Sequence, residues 1–217
     1  MAIGQMVTLC GALAPVELKQ LRGKNDVKTV ALLKQFKFKP FDSCVLVRVG
    51  IHNDIEAEKV FKQSWPQKCR FYGVDPSPEA GLVYWKVGRY FKLAVGPNFN
   101  ASNDRSDAYR PTSLADFLAN RIRESTVDHL WIDNADYTTM SLFERGSTLI
   151  EEYSICQLNL LFDASASKRQ ERIMDTLASL AYNSPFLPLW ASGLSRLRLM
   201  ALNVEDNYCV EKFATVG

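Results

Sequence analysis

Apolar residues in this chain fall into two kinds of run. Some are short and continuous, as in strands buried on both faces, and others recur every three or four positions, as in amphipathic helices. From Val16 to Phe36 the apolar positions Val16, Leu18, Leu21, Val27, Val30, Leu32, Leu33 and Phe36 lie mostly on one side of a helix, broken near Gly23 to Asp26. Pro40 closes that stretch. CVLVRVG, Cys44 to Gly50, reads as a buried strand. The helix that follows carries Ile55, Val60 and Phe61 at helical spacing, with Asn53 or Asp54 placed to cap it, and Pro66 stops it.

CRFYGVDP (Cys69 to Pro76) is a second strand and RYFKLAVG (Arg89 to Gly96) a third. Pro97 to Pro111 is polar and aperiodic, a long loop of the kind that is usually functional or mobile. Ser113 starts a helix, with Asp116 at capping-box spacing. HLWID (His129 to Asp133) is a fourth strand, and a short helix after it is closed by Gly146. SICQLNLLFD (Ser154 to Asp163) is a fifth strand. A helix from about Ser167 to Tyr182 leads to two more strand candidates, PFLPLW and RLRLMALNV.

Strands alternating with helices imply an α/β fold, a mostly parallel sheet covered on both faces. The final pair of strands predicts an antiparallel C-terminal edge hairpin. The expected organisation is an N-terminal helical segment over 1–41 and one α/β domain over 42–217. Within it Cys44–Val49 should be central, flanked by Phe71–Val74 and Leu130–Asp133.

Composition narrows the functional classes. A length of 217 residues suits one domain with a real core. A net charge of +2 lacks the basic footprint of a nucleic-acid binder, so no nucleic-acid partner is expected. No apolar run reaches the roughly 18 residues of a membrane span. The five cysteines, Cys10, Cys44, Cys69, Cys156 and Cys209, form no CxxC pair, and the expectation is buried free thiols in a reducing, cytoplasmic setting. With His52 and His129 as the two histidines, close metal-ligand pairs are absent and no metal is expected. Secretion is the alternative, since MAIGQMVTLCGALA ends on a small-x-small pattern, although Gln5 and Thr8 interrupt its apolar run and no basic residue precedes it. Asn100-Ala101-Ser102 is a formal glycosylation sequon.

Ligands of doubly wound sheets bind at the carboxyl ends of the strands, near the switch point. The first strand ends at Gly50, where a missing Cβ lets backbone approach a ligand. The second ends at Asp75, about 20–25 residues on, where an acid can hold ribose hydroxyls. No GxGxxG follows the first strand, which argues against a nicotinamide cofactor.

Five segments in order, VLVRVGIHNDIEAE, YGVDPSPE, LAVG, TSLADFL and LWIDNADY, with NVEDNYCVEKF closing, resemble the FkbM family of S-adenosylmethionine (SAM) methyltransferases over about residues 44–213. The resemblance implies a Rossmann-like seven-stranded sheet, SAM as methyl donor, and a hydroxyl acceptor on a small molecule or glycan. It implies that Gly50 touches the donor, Asp75 holds its ribose, and Asp133 lies at the acceptor edge. Such a displacement needs alignment above all, and a base when the acceptor is a hydroxyl.

The chain departs from the family at several positions. Arg48 replaces an Asp, and Asp54 replaces the second glycine, bringing a Cβ and a negative charge towards the donor's carboxylate. Ala135, Asp136 and Thr138 replace family residues after Asp133, and Leu161 replaces an acid. Arg48 has two readings, reaching solvent or attracting the donor's carboxylate; the first is favoured. His52 is either a base beside the donor or a helix-start residue without chemistry. Trp131, between Leu130 and Ile132, is expected in the core. Lys168, Arg169, Arg172, Arg196 and Arg198 read as solvated faces. Alongside methyl transfer stands a second class: a methyltransferase fold that has lost catalysis and serves as a binding or interaction module.

Overall fold

The computed structural model describes residues 7–8, 11–24, 27–33, 44–65, 68–96, 112–135, 137–163, 175, 177–193 and 196–214. The 97–111 loop, its sequon at Asn100, the 167–174 part of the expected helix, and Cys10 lie outside the described residues.

The chain opens on strands β1 (Leu18–Arg22) and β2 (Val27–Ala31), an antiparallel hairpin. This corrects the helix expected over 16–36. Val27, Thr29 and Val30 are β-branched or flanked by β-branched neighbours and favour the pleated conformation. The break after Arg22 serves as the hairpin connection. The spacing that read as one helical face is two short strands whose apolar side chains Leu21, Val30 and Ala31 turn inward.

The main sheet is built from β3 (Cys44–Val49), β4 (Cys69–Asp75), β5 (Arg89–Lys92), β8 (Thr126–Ala135), β9 (Ser154–Asp163), β10 (Phe186–Ser192) and β11 (Arg196–Asn203). The stretch expected as one third strand divides: β5 stops at Lys92, and Val95–Gly96 (β6) pairs instead with Thr112–Ser113 (β7). Across the sheet the order is β10-β11-β9-β8-β3-β4-β5. β3 pairs in parallel with β4 and β8, so the all-buried Cys44–Val49 run is central with the flanking strands expected. β11 runs antiparallel to β9 and to β10, forming the C-terminal edge hairpin. This is the mostly parallel, seven-stranded Rossmann-like architecture that the resemblance implied.

Helices cover both faces. On one lie α1 (Glu56–Ser64), α2 (Pro78–Tyr84), α7 (Asn207–Phe213) and the β1–β2 hairpin, with Phe61, Phe213, Leu21 and Val30 packed on Leu46, Trp131 and Met200. On the other lie α3 (Leu114–Phe117), which continues into a π-helical turn over Leu118–Ile122, α5 (Thr148–Glu152) and α6, a helix over 177–183. Ser113 caps α3 as its spacing with Asp116 foretold, its hydroxyl accepting from the Asp116 amide at 3.0 Å. A short helix α4 (Tyr137–Ser141) follows β8.

Two disulfides overturn the free-thiol expectation. Cys44 and Cys69 are register partners on β3 and β4 and are bonded, and Cys156 of β9 is bonded to Cys209 of α7. Parallel pairing puts the first residues of adjacent strands opposite each other, which brings two sulfurs within reach although 25 residues separate them. Among the described residues no helix is long and apolar enough to cross a membrane.

Candidate functional site

The switch point is the turn after β3. Gly50 has a left-handed φ of 78°, and a Cβ there would stand 3.1 Å from the Asp133 carbonyl oxygen. The glycine is needed for close approach of β3 to β8 as well as for the turn. Ile51 is wholly buried among Ile55, Ala80, Tyr84 and Val87. Its amide donates to Asp75 Oδ2 at 2.8 Å, and the His52 amide donates to the same oxygen at 3.1 Å. The other oxygen, Asp75 Oδ1, accepts from the Ser77 amide at 2.8 Å. Asp75 therefore braces two loops, after β3 and after β4. Asp54 Oδ1 accepts from the Glu56 amide at 3.1 Å, so its carboxylate starts α1.

Arg48 does not reach solvent. It is 2% exposed and points to the face covered by α1 and the hairpin. A charge in a buried strand requires partners, and Arg48 has four. Its guanidinium donates to the carbonyls of Gly50 (3.3 Å) and Asp54 (2.7 Å), to Glu58 Oε1 of α1 (2.5 Å) and to Asp133 Oδ2 of β8 (2.8 Å). Asp133 Oδ1 is taken by the Lys28 ammonium of β2 at 2.5 Å. Two cations and two carboxylates, all buried, thus close on one another. Burial works against the Arg48 charge, but Glu58 and Asp133 outweigh it and hold the guanidinium protonated. Burial pushes the Glu58 carboxyl above its ordinary value against the pull of Arg48.

His52 and Asn134 stand at the rim. Both have left-handed backbone, φ 51° and 64°, which non-glycine residues seldom adopt. The His52 Nε2 lies 3.3 Å from the Asn134 side-chain nitrogen, Nδ2. Asn134 also lines a cleft of about 90 Å³ with Val49, Gly96, Ile132, Asp133 and Thr139. Sites for small organic ligands typically enclose about 300–1,000 Å³.

Structure thus brings Arg48, Gly50, His52, Asp54, Asp75 and Asp133 to one end of the sheet. It also adds Lys28 and Glu58, which sequence reasoning missed. The signal for them was the arginine itself: VLVRV demands a buried counter-charge, and the first turns of the next helix offer Glu58. Lys28 lay in a segment read as helix, so nothing linked it to Asp133. Trp131 is in the core as expected. Among the described residues no cluster of three or more His, Cys, Asp or Glu side chains is placed to hold a metal ion.

Against SAM these residues are largely pre-engaged. Three amides take three of the roughly four lone-pair positions of the Asp75 carboxylate, leaving one for a ribose diol. The position a Cβ on Gly50 would take lies 3.1 Å from the Asp133 carbonyl oxygen. Asp133 itself is neutralised from both sides by Lys28 and Arg48.

No family model matches the chain, and no curated protein does. Solved structures with a similar fold include M. capricolum TrmK in complex with S-adenosyl-homocysteine (11% identity, 75% of this chain, TM-score 0.44). The chain spans 63% of the length of that protein. Others are the Methanococcus jannaschii fibrillarin pre-rRNA processing protein (9% identity, 86% and 82% of the two chains, TM-score 0.49) and Aeropyrum pernix fibrillarin with natively bound SAM (12% identity, 73% and 66%, TM-score 0.43). Likenesses this distant concern the fold alone; the assignment of the fold rests on the sheet order and pairing described above.

Proposed function

We propose that this chain is a divergent FkbM-type methyltransferase homologue that acts by binding a partner and does not transfer methyl groups. One observation carries the reading: both carboxylates a donor site would use, Asp75 and Asp133, have each oxygen engaged by a partner within the chain. Emptying either would leave buried amides or buried cations unpaired, which costs several kcal/mol for a charged group. Titrating the protein with SAM by calorimetry tests this, and no heat of binding is expected.

A second reading has its own support. His52 is exposed, and its ring lies against Asn134, a residue that lines the cleft. Backbone strain of this kind concentrates at functional sites. In that reading SAM methylates a hydroxyl of a small molecule or glycan, and His52, not Asp133, takes the proton. Label transfer from methyl-labelled SAM to a panel of sugars and small alcohols, lost in His52→Ala, would establish it.

The proposal extends to location. Two disulfides fit an oxidising compartment better than the cytoplasm, where thiols are kept reduced. Mass spectrometry of the protein alkylated without reductant, from its native source, tests this: free Cys44, Cys69, Cys156 and Cys209 would contradict it.

A further inference from the structure

Among the described residues the large apolar side chains left most exposed are Leu13, Leu82, Trp85, Tyr182, Leu187 and Val204. Apart from Leu13, they fall in two groups. Leu82 (75% exposed) and Trp85 (67%) lie three residues apart on and just after α2, which packs on β5, one edge of the main sheet. Tyr182 (80%), Leu187 and Val204 lie at the opposite edge, on and around β10. Hydrogen bonds tie the segments that carry them together. Arg145 donates to the Tyr182 carbonyl and pairs with Glu205, next to Val204, while the Val204 amide donates to the Pro185 carbonyl, two residues from Leu187.

The two surfaces differ in charge. Around Trp85 stand Lys86, Arg89 and Lys62, whose ammonium reaches the Val87 carbonyl at 3.1 Å, against the exposed Glu79 of α2. Around Val204 stand Glu205, Asp206 and Glu144, against Arg145. One edge is apolar and basic, and the other apolar and acidic. Exposed apolar groups gathered in this way mark interaction surfaces, and Trp and Tyr anchors are the side chains that dominate such contacts. Strand addition at the β10 edge is blocked, because Thr8 bonds the Ala191 carbonyl at 3.2 Å and Gly11 packs against the Leu189 carbonyl.

We propose that the occupant of each surface is the other surface on a second copy of this chain: the Trp85 face of one molecule docks on the Tyr182 face of the next. Such a contact is heterologous, so it leaves one free surface at each end and propagates into a ring or an open chain. The inference is independent of whether SAM binds.

Sedimentation velocity on the full chain, over a range of concentrations, tests it. The native protein forms species larger than a dimer as concentration rises, and these recede at about 1 M salt, where charges are screened within about 3 Å. Trp85→Ser and Tyr182→Ser each remain monomeric. Mixed in equal amounts they form a one-to-one dimer and nothing larger, since each retains the surface the other lacks. Leu82→Ser and Val204→Ser serve as a second pair, should either first variant fail a circular-dichroism check of folding. A native protein that stays monomeric at every concentration overturns the proposal. So does a loss of association in Trp85→Ser with none in Tyr182→Ser, which means a symmetric contact, and so does a mixture that stays monomeric.

Discussion

Arg48 and Asp133 meet at 2.8 Å across the central strands β3 and β8, both side chains almost wholly buried, at the end of the sheet where a ligand would bind. The pair is completed by Glu58 on the arginine and Lys28 on the aspartate. Removing Arg48 leaves two buried carboxylates facing one ammonium. Arg48→Met should therefore lower stability by about 3–5 kcal/mol, the usual cost of breaking a buried pair. Arg48→Lys should recover little of it, because an ammonium cannot reach Gly50, Asp54, Glu58 and Asp133 at once. Urea denaturation of the three proteins measures this; a loss under 1 kcal/mol in Arg48→Met, about the scale of a surface pair, would contradict it.

Asp75 is expected to matter for the loops in the absence of any ligand. Asp75→Ala strips an acceptor from the Ile51, His52 and Ser77 amides and should cost about 1–3 kcal/mol. Amide exchange should accelerate at Ile51 and Ser77 specifically. Unchanged exchange at both would mean that the carboxylate does not brace these turns.

His129 sets a pH dependence. Burial first, and the Lys212 ammonium second, push its imidazole down to about 3. Phe61, Trp65 and Phe213 surround it, and neither ring nitrogen has a partner among the described residues. The unfolded chain takes up this proton near pH 6.5 and the folded chain does not until about pH 3, so stability falls as pH falls through that window. From pH 7 to pH 5 the loss from this group should be about 2 kcal/mol. In His129→Leu that part of the slope should vanish, which denaturation at the two pH values checks.

Each disulfide should contribute about 2–4 kcal/mol by limiting the unfolded chain. Cys156–Cys209, which closes the longer stretch at a separation of 53 residues, should contribute more than Cys44–Cys69, at 25. Comparing Cys156→Ala/Cys209→Ala with Cys44→Ala/Cys69→Ala in urea decides the order.

How far the sequence was legible depended on range. The buried runs from Cys44, Cys69, His129 and Ser154 signalled their strands because short, nearly continuous apolar stretches of three or four residues suit a strand covered on both faces. The ends Gly50 and Asp75 followed from those strands. The hairpin at Leu18–Ala31 was misread because Leu21 and Val30 satisfy either periodicity over so few residues. What decides between them is non-local, namely the Gln157 and Asn159 side chains of β9, which accept from the Ala31 and Thr29 amides. The same limit hid Lys28 from Asp133, 105 residues away. The disulfides were partly visible, since Cys44 and Cys69 each open a strand, but their register is a property of the folded sheet.

The central claim is that the switch point is filled from within, and calorimetric titration of the native protein with SAM tests it most directly. The account predicts no saturable heat, so that any affinity is weaker than about 1 mM, with Asp75→Asn indistinguishable from the native chain. Saturable binding at about micromolar SAM, weakened tenfold or more in Asp75→Asn, would contradict it and return Asp75 to the ribose.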